Sequence, residues 1–145
     1  MPRALVVAAI SAILLSCVAH AQGDERTLMH MFQEDSRIVY VTIVDRPPSP
    51  VGLVTSEDKS RQERWFMVSR PQFDKMWSTL VSAGVEEYAR SADDKTPERS
   101  FDVVNYYVFS AAEMPHGSKK NYAVPADKAP ASIAVLAKQF RGYAK

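Results

Sequence analysis

Ser69-Arg70-Pro71-Gln72-Phe73-Asp74-Lys75-Met76-Trp77-Ser78-Thr79-Leu80-Val81-Ser82-Ala83-Gly84 is the stretch that decides the fold. Phe73, Met76, Trp77, Leu80 and Val81 recur at i, i+3, i+4, i+7 and i+8, which predicts a single apolar stripe along a helix. Ser69 and Gln72 stand at capping-box spacing, and Pro71 suits a first helical position. Gly84 falls where a helix stops in the left-handed conformation. Burying side chains of this kind is worth roughly 1.5–3 kcal/mol each before entropy is subtracted, so the stripe needs a surface to cover.

The flanking sequence supplies that surface. Upstream, Trp65 to Val68 predicts a strand and Val51 to Val54 a shorter one. Ile38 to Val44, rich in β-branched residues, predicts a strand covered on both faces, ended by the Pro47-Pro48-Ser49-Pro50 run. Glu57 to Gln62 is a polar turn. Downstream, Val85 to Ala89 predicts a strand leaving the helix, and Ser91 to Ser100 a polar loop. Phe101 to Ser110 is a long aromatic-rich strand. Met114 to Lys120 forms a turn and Asn121 to Val124 a return, which together make a hairpin with a long tip. Pro130 opens a second helix with Ile133, Leu136, Ala137 and Phe140 on one face. Short connections favour antiparallel pairing. The expectation is an α+β fold, an antiparallel sheet with two amphipathic helices packed on one face, in a single domain over residues 37–145. Residues 22–36 stay undecided, although Leu28, Met29, Met31 and Phe32 could form one face of a short helix.

The N-terminus carries an export signal. Arg3 supplies a positive charge, Ala4 to Leu15 is an apolar run broken only by Ser11, and small residues follow. That run is shorter than the ~20 residues a membrane span needs. Ala19-His20-Ala21 is a cleavage site that makes residues 1–21 a signal peptide. Leu14-Leu15-Ser16-Cys17 instead resembles a bacterial lipobox, which implies lipidation of Cys17. Both routes place the protein outside the cytoplasm, in the periplasm or anchored to the outer membrane, with Cys17 its one possible membrane contact.

Cys17 is the only cysteine. The mature domain therefore has no disulfide, cysteine nucleophile, thiolate zinc site or iron–sulfur ligation. The chain holds 18 basic and 17 acidic residues, and Arg3 belongs to the signal, so the mature charge is balanced. A nucleic-acid binder usually shows a basic excess, so no nucleic-acid partner is expected.

No nucleophile elbow, zinc-binding His pair, phosphate loop or dinucleotide fingerprint occurs. Glu86-Glu87 and Asp93-Asp94 look like solvated charge. His30, between Met29 and Met31, is either a surface histidine among packing methionines or a soft copper ligand; the first is preferred, and no metal or cofactor is expected. Trp65, Phe66, Phe73 and Trp77 are expected in the core. His116, Lys119 and Lys120 on the hairpin tip are candidates for contacting a partner. Tyr106 and Tyr122 are candidates for an aromatic surface on the sheet face away from the helices. These features favour a non-enzymatic envelope protein that binds another protein, possible versions being an inhibitor or an immunity-type protein. A structural lipoprotein and a small hydrolase using His116 are the alternatives.

Overall fold

A computed structural model describes residues 24–58, 63–91 and 102–145. The signal segment, Cys17, the 92–101 stretch with Asp93 and Asp94, and most of the 57–62 turn lie outside the described residues. The fold is α+β. Seven strands form one antiparallel sheet: β1 (Glu25–Glu34), β2 (Arg37–Val44), β3 (Val51–Ser56), β4 (Arg64–Met67), β5 (Ala89–Ser91), β6 (Tyr106–Met114) and β7 (Lys119–Pro125), in the order β4-β3-β2-β1-β6-β7-β5. Helix α1 spans Arg70–Ser82 and α2 spans Ala131–Tyr143. Among the described residues, no helix is long and apolar enough to cross a membrane.

The undecided N-terminal segment is the centre of the sheet. β1 pairs with β2 on one side and β6 on the other. Its consecutive apolar residues serve both faces, which is why they mimic a helical stripe: Leu28, His30 and Phe32 project to one side and Met29 and Met31 to the other. β2 alternates buried Val39, Val41 and Ile43 with half-buried Ile38, Tyr40, Thr42 and Val44, so only one of its faces is fully covered.

Register puts Leu28, Phe32, Val39, Val41, Ile43, Val54, Phe109, Tyr122 and Val124 on a common face. They join Phe73, Met76 and Leu80 of α1 and Ile133, Leu136, Ala137 and Phe140 of α2 in one core cluster. Gly52 sits in this face beneath Phe66; a Cβ there would lie 2.1 Å from the ring. The α1 boundaries follow the sequence. The Ser69–Gln72 capping box forms, Pro71 occupies the first turn, and Gly84 adopts φ +70. Val81, at the margin of the stripe, is exposed.

Three local expectations fail for identifiable reasons. Glu86–Tyr88 is a 3-10 turn, closed by Tyr88 N–H donating to Val85 O, and the strand begins only at Ala89. β6 begins at Tyr106 and not at Phe101, which itself lies outside the described residues. The Asp102 carboxylate accepts from the N–H groups of Val104 and Asn105, offering the backbone a turn in competition with a ladder. Trp65 is 63% exposed, because edge strand β4 turns it to the face opposite the core.

Candidate functional site

The hairpin expected in the sequence forms, with β6 paired to β7 and Glu113 N–H donating to Ser118 O across the tip. His116 is strongly exposed there. Its backbone N–H donates to Asp24 Oδ1 at 3.1 Å, and its Nδ1 lies 2.9 Å from the same oxygen. The backbone bond, then the side-chain bond, holds the Asp24 carboxyl below the usual range. Lys120 pairs loosely with Glu86 at 3.5 Å. The tip is therefore fastened to the start of β1.

The remaining candidates separate. Tyr106 is at the far end of β6, about 26 Å from Met114 at ~3.3 Å per residue, beside a shallow cleft of about 380 Å³ shared with Asn105, Pro125 and Asp127. Tyr122 is 0% exposed and belongs to the core, so it contributes to no surface. Strand alternation sends it to the core face, paired with Phe109 and Ala89. Its hydroxyl has no hydrogen-bond partner among the described residues.

Sequence reasoning missed the surface that does gather exposed side chains. On the face opposite the core, register aligns Met67, Val51, Val44, Thr27, Ala112 and Lys119 in one row across six strands. None of the six is buried. Five spacings of ~4.8 Å make the strip about 24 Å long. Trp65 stands beside its apolar end, opposite Leu53. Met67 is 67% exposed, and Met114 is exposed near the basic end. Two rows along on the same face, beyond Leu53, Thr42, Met29 and Ser110, the row of Tyr40, Met31, Val108 and Ala123 is, by contrast, largely buried. Lys119 is the one residue marked in the sequence that joins this strip.

His30 is not a surface residue, and strand alternation places Met29 and Met31 on the opposite face of the sheet from its ring. It is 0% exposed, stacked on Phe109 with ring centroids 4.3 Å apart and on Phe32 at 5.3 Å. Among the described residues, no group of three His, Cys, Asp or Glu side chains could hold a metal ion. Nδ1 is 2.9 Å from Val108 O, a bond that needs the proton on Nδ1 and leaves Nε2 as acceptor for Arg141 Nε–H at 3.3 Å. Burial above all, opposed by the Val108 hydrogen bond and aided by the Arg141 charge, lowers the His30 pKa to about 3, so the ring is neutral. No known protein family, curated protein or solved structure matches this chain.

Proposed function

We propose that this is an exported, non-enzymatic binding protein of the cell envelope that engages another protein through the strip running from Trp65 and Met67 to Lys119. One observation carries this reading: two large apolar side chains, Trp65 and Met67, are about two-thirds exposed and adjacent on an edge strand. Among the described residues nothing covers them, and exposed apolar patches rimmed by polar residues are typical of interaction sites. Tryptophan at such a position is the residue type most often dominant in binding energy. The basic hairpin tip at the other end supplies charge that steers a partner with an acidic patch. His116, held by Asp24 in open solvent, fits a contact residue better than a general base. Export rests on the Arg3 and Ala4–Leu15 signal, with Cys17 the possible anchor.

The test is affinity capture from the protein's own envelope extract with the mature chain and with its Trp65→Ser/Met67→Ser variant. Both side chains are exposed, so the variant is expected to keep its unfolding midpoint. A stoichiometric protein partner retained by the wild type and lost by the variant supports the proposal. Loss of a hot-spot tryptophan corresponds to about 2 kcal/mol or more, roughly 30-fold in affinity. Equal retention of the same partner by both proteins removes the strip from the interaction.

A further inference from the structure

A cleft of about 440 Å³ opens between the end of β1, Tyr107 of β6 and the last turns of α2. Its lining includes the cationic side chains of Lys138, Arg141 and Lys145 and, among the described residues, one acidic side chain, Glu34. Lys138 and Arg141 are three residues apart and share a helix face; Lys145 follows just after the helix.

Arg141 is unusually placed. Its guanidinium lies over the rings of Phe32 and Tyr107, 5.4 and 5.6 Å from their centroids. Its Nε–H is taken by neutral His30. No carboxylate pairs with it among the described residues, and neither Nη group donates to a protein acceptor there. A cation in the last helical turn complements the helix dipole. The dipole does not explain a guanidinium held on two aromatic rings by a buried imidazole with four N–H donors unused among the described residues. The helix-end carbonyls are met separately, since Arg64 donates to the main-chain oxygens of Tyr143 and Lys145.

We infer that this cleft binds a small organic anion, a carboxylate or phosphate group docking on the Arg141 fork while Phe32 and Tyr107 form its wall. A planar guanidinium accepts either oxyanion in bidentate geometry. Lys138 and Lys145 add charge that a compact, multiply charged anion would meet. The volume is within the range of small-molecule sites. This site is independent of the Trp65–Lys119 strip, so either can fail without the other.

The experiment is amide NMR titration of the mature chain with citrate and with inorganic phosphate, using glucose as a neutral control. Saturable shifts in the amides of Gln33, Gly142 and Lys145 are expected from at least one anion, at a Kd of roughly 1 mM or tighter. Arg141→Gln should weaken binding at least about tenfold, and Arg141→Lys should also weaken it, because charge without the fork is insufficient. Lys138→Gln/Lys145→Gln, on exposed side chains, should weaken binding severalfold and flatten its salt dependence; this pair keeps the test decisive if an Arg141 variant does not fold. Competition by phosphatidylglycerol vesicles would identify the anion as a lipid headgroup, and its absence as a soluble molecule. No saturable shift with either anion at about 10 mM, or unchanged affinity in the folded variants, overturns the inference.

Discussion

Moving from pH 7.5 to pH 5.0 is expected to weaken the fold through His30. In the unfolded chain a histidine titrates near 6.5; in the core His30 resists protonation down to about 3. Between those values the unfolded state binds a proton that the native state does not. Stability therefore falls as pH drops through 6.5 and keeps falling until about pH 3. At about 1.4 kcal/mol per pH unit of full protonation difference, the loss between pH 7.5 and 5.0 is about 2 kcal/mol, a large share of the ~5–15 kcal/mol typical of a domain. Asp24 and Asp102 have carboxyls lowered from 3.8, the first by hydrogen bonds from His116 and the second chiefly by Asn105, so their linked losses come at lower pH, outside this window. Urea unfolding at the two pH values, followed by the fluorescence of Trp65 and Trp77, measures the drop. His30→Gln keeps a donor and an acceptor without a titrating group. Whatever it costs at pH 7.5, its further loss at pH 5.0 should shrink to a few tenths of a kcal/mol. An equal pH-dependent loss in wild type and variant would refute the assignment of a buried, neutral His30.

Two other substitutions probe the core. Tyr122→Phe removes a buried hydroxyl that has no partner among the described residues and should raise stability by about 1 kcal/mol in urea unfolding, since an unsatisfied buried polar group costs about 1–3 kcal/mol; destabilisation would reveal a hidden partner. Gly52→Ala puts a methyl group into the Phe66 ring and should cost about 1–3 kcal/mol, the usual penalty of overpacking, together with a displaced Phe66–Tyr143 stack visible in aromatic NMR shifts.

The elements legible in the sequence are those whose signals are local. α1 shows its cap, stripe and glycine stop within sixteen residues, and α2 shows its face in the spacing of Ile133, Leu136, Ala137 and Phe140. The β6–β7 hairpin shows through its Pro- and Gly-containing tip. β1 was illegible for the same reason that it is central: a strand between two neighbours with apolar residues on both faces loses the alternation that marks a half-buried strand. Trp65 misleads because hydrophobicity records that a side chain favours burial, not which face an edge strand will present. The candidate sites depend on pairing. Phe32, Tyr107 and Arg141 are far apart in sequence, and nothing near any of them announces the others. Met67 and Lys119 meet on one row only because five strand registers line them up. Tyr122, marked for its type, went to the core because parity decided its face.

The Asp24–His116 clasp gives the molecule a near pole and a far pole. Asp24 lies beside the hairpin tip, whereas β1 carries Phe32 and Glu34 about 26 and 33 Å away, at ~3.3 Å per residue. A lipid on Cys17 would leave only seven peptide steps to Asp24, a leash of at most about 25 Å. The domain would then stand with its lysine-bearing tip toward the headgroups and the Arg141 cleft held out into the surrounding compartment, like a cup on a short stem.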